Sequence, residues 1–138
     1  MNTAAMTVTQ SSAETRGVSV RVEARFSAEH SDPDRPLWFF LYTITIENTG
    51  AVPVQLLNRH WEITDGNGQV DHVRGPGVVG QQPLLSPGES FEYTSGCPLP
   101  TQFGFMKGEF EMHHPETDEK FKAEVAGFPL RIRDETLN

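Results

Sequence analysis

The chain carries one cysteine, Cys97, among 138 residues. A lone thiol excludes an internal disulfide and leaves no partner for a cysteine-based zinc cluster. It fits a reducing compartment. Basic residues are also scarce. Lys and Arg number 11 against 19 Asp and Glu, a formal net charge of −8. A general nucleic-acid binder needs a basic face to displace counterions from phosphate, so this balance argues against nucleic acid as a partner. It weighs equally against anionic membrane surfaces and favours solubility. No run approaches the roughly 20 apolar residues of a membrane span. The opening stretch is rich in Ala, Ser and Thr, with no basic start and no apolar run, so it does not read as a secretory signal. A cytoplasmic protein is expected, with a flexible tail over residues 1–16, one domain over 17–133 and a short second tail over 134–138. A domain of this size buries roughly two-thirds of the surface its unfolded chain exposes, enough for one core without staples.

Helical patterning is missing as well. No window of useful length holds an i, i+3, i+4, i+7 apolar stripe. The period that is present is two. Val18, Val20, Val22, Ala24 and Phe26 alternate with Arg21, Glu23 and Arg25, which predicts a half-buried strand. Leu37 to Asn48 carries Trp38, Phe40, Tyr42, Ile44 and Ile46 on one face and reads as a long central strand. Further extended or alternating segments are expected at Val52–Leu57, Trp61–Thr64, Gln69–Val73, Ser90–Ser95, Phe105–His113, Lys120–Val125 and Phe128–Ile132. Asp65-Gly66-Asn67-Gly68 is a strong hairpin signal, because Gly and Asn tolerate the positive φ of tight turns. Short strands with a turn signal every ten or so residues predict an all-β fold, an antiparallel β-sandwich of seven to eight strands.

Between the strands, Gly75-Pro76-Gly77-Val78-Val79-Gly80 matches the glycine fingerprint of dinucleotide-binding proteins. That fingerprint works through a helix whose N-terminus holds the pyrophosphate. Pro83, Pro87 and Gly88 fall where the helix would grow, and proline in a helix interior costs roughly 3 kcal/mol. No acidic residue stands about 20 residues on, where the ribose would be held. The run is therefore expected to be a loop crossing between sheets. The other reading open here is a nest of exposed N–H groups at Gly75, Gly77 and Gly80 that holds an anion, helped by Arg59 or Arg74, with Gln82 and Tyr93 as polar contacts.

The same run with its flanks closely resembles the ApaG family. The matching blocks are Asn58-Arg59-His60-Trp61, Ile63-Thr64-Asp65, Gly68, Val73-Arg74-Gly75, Gly77-Val78-Val79-Gly80, Gln82-Pro83, Pro87-Gly88, Phe91, Tyr93-Thr94-Ser95-Gly96 and Gly104-Phe105-Met106-Lys107-Gly108. Phe110 and Met112 continue the pattern. The resemblance runs from about Val18 to Ile132. Gln102 departs from an expected proline, and Phe110 from a common tyrosine. The resemblance implies an immunoglobulin or fibronectin type III-like sandwich. It also implies a small stand-alone bacterial protein, often encoded beside a diadenosine tetraphosphate hydrolase, and a family label of cobalt and magnesium efflux. Related domains in eukaryotic F-box proteins and a polymerase-delta-interacting protein imply a protein-interaction role. No enzymatic activity comes with the family.

Chemistry read from the residues themselves is sparse. His113 and His114 are adjacent on a strand and point to opposite faces, so they do not readily share an ion. Glu111 with His113, and His60 with Glu62, could share a face, but surface polar residues explain them, as they do His30 and His72. No metal site and no cofactor are expected. Ser95 lacks a nucleophile elbow. Cys97 has no local basic neighbour to activate it. Trp38, Phe39 and Trp61 are core residues, or binding hot spots if exposed. The expectation is a non-enzymatic binding or regulatory module with an unidentified protein partner, as a monomer or as a homodimer through edge strands. The alternative is a small-ligand sensor of phosphate, nucleotide or a divalent cation. A hydrolase acting on nucleotides is a third class.

Overall fold

The structure is a computed structural model that describes residues 8–132. It contains nine strands among the described residues, paired antiparallel into two sheets. They are β1 (Val8–Thr15), β2 (Val18–Asp32), β3 (Leu37–Asn48), β4 (Val54–Asp65), β5 (Val70–Pro76), β6 (Leu84–Leu85), β7 (Ser90–Leu99), β8 (Phe103–His114) and β9 (Glu119–Arg131). One sheet runs β1-β2-β3-β7, and the other β5-β4-β8-β9 with β6 added to β4. Among the described residues no helix is long and apolar enough to cross a membrane.

Period-two patterning builds the core. In β3, Phe40, Tyr42, Ile44 and Ile46 are buried, while Thr43, Thr45 and Glu47 between them stay half-exposed. Phe110 and Met112 of β8 and Phe128 and Leu130 of β9 face them from the other sheet. The centre is aromatic. Trp61 sits edge-on to Tyr42, Phe110 and Phe128, with centroids 5.4, 6.1 and 6.2 Å away. Such edge-to-face pairs add about 0.5–1.5 kcal/mol each beyond area burial. Trp61 is thus a core residue, whereas Trp38 and Phe39 are half-buried.

Three expectations need correction. The flexible tail over residues 1–16 is a strand from Val8 to Thr15, paired with β2 along its whole length. Its inward-facing Thr9, Ser11 and Thr15 bond to the opposite sheet. Thr9 Oγ1 donates to the Pro129 carbonyl at 2.6 Å and Ser11 Oγ to the Ala126 carbonyl at 2.7 Å. A polar strand is stable there because these hydroxyls pair with carbonyls rather than water. Arg16 and Gly17 have φ of 49° and 84°, as a two-residue hairpin requires. Residues 1–7 and 133–138 lie outside the described residues, so the remaining tail expectations do too. Second, the two segments expected around Leu57 and Trp61 are one strand, β4, bent by an irregularity between Leu56 and Asn58. Third, the last two expected segments are one strand, β9, carried through a register shift opposite Met106–Gly108.

The sandwich is closed on one side and open on the other. β1 and β2 pack against β9. On the far side β5 and β7 each end their sheets.

Candidate functional site

The glycine run leaves β5 at Pro76 and forms a tight local structure without a helix. Gly77 N–H donates to the Leu57 carbonyl at 2.8 Å. Val78 and Gln81 exchange two backbone bonds of 2.8 and 2.9 Å, which closes a two-residue hairpin over Val79 and Gly80. Gly77 has φ 63°, and a Cβ there would stand 2.3 Å from the Gln81 carbonyl oxygen, so only glycine fits. Val79 and Gly80 have φ of 43° and 79°, the signs a type I′ turn needs. Asn-Gly is the usual pair for that turn. A β-branched residue in this region is strained by about 1–3 kcal/mol. Val79→Asn is therefore expected to raise stability by about 1 kcal/mol, read as a higher urea midpoint at unchanged slope. A lower midpoint would mean that contacts of the valine side chain outweigh the strain.

Side chains clamp this hairpin from β4. Arg59 Nη1 donates to the carbonyls of Pro76 and Gly77 at 3.0 and 2.9 Å. Its guanidinium lies over Gly75, where a Cβ would come within 3.0 Å of Nη2. Gln82 Nε2 donates to the Leu57 carbonyl at 2.9 Å. Of the amides from Gly77 to Gln81, those of Gly77, Val78 and Gln81 are already engaged. Arg59 and Gln82 thus hold the loop, and within Gly77 to Gln81 the nest reading retains only the amides of Val79 and Gly80. Arg74 faces the other way. It is the register partner of His60 and lines, with Gly75, a depression of about 480 Å³ on the outer face.

The open side of the sandwich holds a cleft. Tyr42, Trp61, Asp71, Val73, Cys97 and Leu99 help line a volume of about 550 Å³ between β5 and β7. Tyr42, Arg59, Trp61 and Ser95 are shared with a recess of about 210 Å³ beside the Val79–Gly80 hairpin, which Tyr93 also lines. Arg59, Gly80 and Tyr93 are thus brought together at the recess, and Arg59 also meets Arg74 and Gly75 at the outer depression. The Tyr93 hydroxyl is buried with no hydrogen-bond partner among the described residues. A buried hydroxyl normally has one, so this orphan marks the recess. Burial raises the pKa of Tyr93, and the neighbouring Tyr42 adds to it. Tyr42 is raised by its own burial, opposed by a hydrogen bond with Ser95. Cys97 is pushed up to about 11 by burial first and by the Asp71 carboxylate second.

The candidate ligand pairs drawn from the sequence do not assemble. Glu111 accepts from Asn58, and Glu62 pairs with Lys107. His113 bonds Asp118 at 2.8 Å, while His114 bonds the Pro53 carbonyl and stacks on Phe121. Among the described residues, no group of three or more His, Cys, Asp or Glu gathers around a metal-sized site.

Known proteins share this fold. The family model for the ApaG domain matches residues 28–114. The chain belongs to the ApaG family. It is 53% identical over 120 residues to Protein ApaG of Methylobacterium sp. (strain 4-46), covering 87% of this chain and 92% of that one. Protein ApaG of Dechloromonas aromatica (strain RCB) is 53% identical over 113 residues, with 82% and 88% covered. A crystal structure of an ApaA protein from Bordetella pertussis superposes with a TM-score of 0.81 at 50% identity, covering 86% of this chain and 95% of that one. The cleft residues all fall within the ApaG match. β1 and β9, which close the opposite side, fall outside it.

Tyr42, Asp71, Val73 and Ser95 are absent from the site read off the sequence. A signal exists for Tyr42 and Ser95, but none for Asp71 or Val73. Tyr42, Tyr93 and Ser95 are inward-facing positions of β3 and β7 where a hydroxyl interrupts an apolar stripe.

Proposed function

We propose that this ApaG-family protein is a non-enzymatic, cytoplasmic binding module whose β5–β7 cleft takes an extended segment of a protein partner. The observation that carries this reading is a cleft framed by two sheet-edge strands. Edges offer unpaired N–H and C=O groups to an added strand. Val73 of β5 is 40% exposed at that edge and shares the cleft-facing side of the strand with Asp71, where alternate side chains would supply specificity. The orphan Tyr93 hydroxyl offers one hydrogen bond in the adjoining recess. Asp65 and Asp71 at the cleft favour a neutral or basic segment.

The same residues argue against catalysis. Tyr42, Tyr93 and Cys97 are all held towards their protonated forms by burial. A nucleophile or general base needs the opposite displacement. In this reading any link to cobalt and magnesium efflux runs through the partner rather than through an ion in the cleft.

The test is a photo-crosslinking residue placed at Val73, with a second chain carrying it at Val8 on the closed side. Val73 is expected to capture a protein that Val8 does not. The purified partner should bind Asp71→Lys at least about tenfold more weakly, a loss of about 1.4 kcal/mol. Capture from both positions, or equal affinity for Asp71→Lys, would sink the proposal. A cross-link to the chain itself would make the partner a second copy. Stabilisation by phosphate or nucleotide that vanishes in Arg59→Ala would favour the small-ligand sensor instead.

A further inference from the structure

A separate arrangement lies on the outer face of the β5-β4-β8-β9 sheet, away from the cleft. His60 of β4 faces Arg74 in register, and Glu62 faces His72 of β5. Strand alternation puts these four side chains on one face. His60 and His72 are diagonal neighbours there. His60 Nε2 stands 2.9 Å from His72 Nδ1, with the rings 24° from coplanar and their centroids 5.1 Å apart. On its other side, His60 Nδ1 lies 3.4 Å from Glu109 Oε2 of β8.

We propose that His60 and His72 form a two-histidine chelate for a first-row transition ion, with Glu109 positioning His60. Three features support the geometry. First, imidazole nitrogens bind such ions at about 2.0–2.1 Å, so two neighbouring ligands on one ion stand about 2.9–3.4 Å apart. The two nitrogens already meet that spacing. Second, Glu109 accepts from His60 Nδ1–H, which leaves Nε2 as a lone pair facing His72. A carboxylate behind a ligating histidine is the usual outer partner in such sites. Third, His72 sits on an edge strand whose backbone is paired on one side only.

The protons balance. Without an ion, His72 Nδ1–H donates to His60 Nε2. On binding, that proton moves to His72 Nε2 through solvent, and both facing nitrogens become ligands. No net proton is released when both rings start neutral. The carboxylates on this face are engaged, Glu109 with Lys122 and Glu62 with Lys107. Water therefore completes the sphere. Two nitrogens and no dedicated oxygen ligands suit Cu(II), Ni(II) or Zn(II), and do not suit magnesium or calcium. Arg74, Lys107 and Lys122 oppose a cation on this face, and Glu62, Glu109 and Glu111 balance them in number.

The test is calorimetry of the full, tag-free chain with Ni²⁺ at neutral pH, and with Mg²⁺ as comparison. One Ni²⁺ per chain is expected, with no Mg²⁺ heat. Glu109→Gln should weaken Ni²⁺ about tenfold, and His72→Gln, which removes a ligand outright, by more. A His113→Gln/His114→Gln chain should bind as the parent does. Paramagnetic broadening of the ring protons of His60 and His72 reads the same site without any substitution. Absence of saturable heat, undiminished binding in His60→Gln/His72→Gln, or broadening centred on His113 and His114 would each overturn the proposal.

Discussion

Phe128→Ala is expected to cost about 3–5 kcal/mol of stability. Phe128 is fully buried and packs against Tyr42 and Trp61 at 6.3 and 6.2 Å between centroids. Truncation removes the transfer free energy of a whole ring and leaves a cavity that neighbours from two sheets cannot easily fill. The loss is a large share of the roughly 5–15 kcal/mol by which domains of this kind are stable. Urea denaturation would show it as a lower midpoint at unchanged slope. Phe128→Leu should lose less, because most of the volume remains. A loss below about 1 kcal/mol for Phe128→Ala would mean that the aromatic centre is not packed as described. Tyr42 and Trp61 also line the cleft, so the same change should weaken partner binding more than its distance from the cleft suggests. Under the proposed function, one aromatic cluster would then couple stability to binding.

The sequence was legible wherever one face of a strand is apolar. β2, β3, β7, β8 and the β4–β5 hairpin follow from period-two alternation and from Asp65-Gly66-Asn67-Gly68. Asp65 Oδ1 accepts from the amides of Asn67 and Gln69, which is how an Asx side chain shapes such a turn. The failures have a common physical cause. β1 is stabilised by hydroxyl-to-carbonyl bonds across the sandwich, and alternation of hydropathy cannot report those. β4 and β9 are continuous because ladder pairing with β8 carries each through an irregularity. A local polar or glycine interruption looks like an end when the neighbour strand is unseen.

The candidate site was half legible. The prolines after Gly80 rightly removed the helix that a nucleotide fingerprint requires. Spacing alone could not say that Arg59 would bond the loop carbonyls, or that Arg74 would face the outer surface. One residue of offset on a strand reverses the face, and the irregularity beside Asn58 decides which face Arg59 takes. The His60–His72 pair was equally hidden, because it joins two strands at a diagonal that no local motif encodes. The cleft itself is a property of topology: β5 and β7 end their sheets on the same side, and nothing in either segment alone announces it.

Raising the pH should expose the burial of Cys97 as a loss of stability. In the unfolded chain the thiol titrates near its ordinary value of 9.0, and in the folded protein it is pushed up to about 11. Between those values the native state keeps a proton that the unfolded state has released. Stability then falls as pH rises, because the unfolded state binds fewer protons. The contribution is fully present below pH 9 and lost as pH passes through 11. A gap of about two pH units corresponds to roughly 2–3 kcal/mol. Tyr42 and Tyr93, both raised by burial, steepen the fall above pH 10. Urea midpoints measured from pH 8 to pH 11 should trace this decline. Cys97→Ala lowers stability at pH 8 by the loss of a buried sulfur, but its curve between pH 9 and 10, before the tyrosines titrate, should be flatter than the parent's. Asp71→Asn, which removes the second cause of the displacement, should lower the thiol's titration point measured by native-state alkylation rate. Parallel curves for parent and Cys97→Ala would place the thiol in contact with water, and with it the wall of the cleft that Cys97 helps to form.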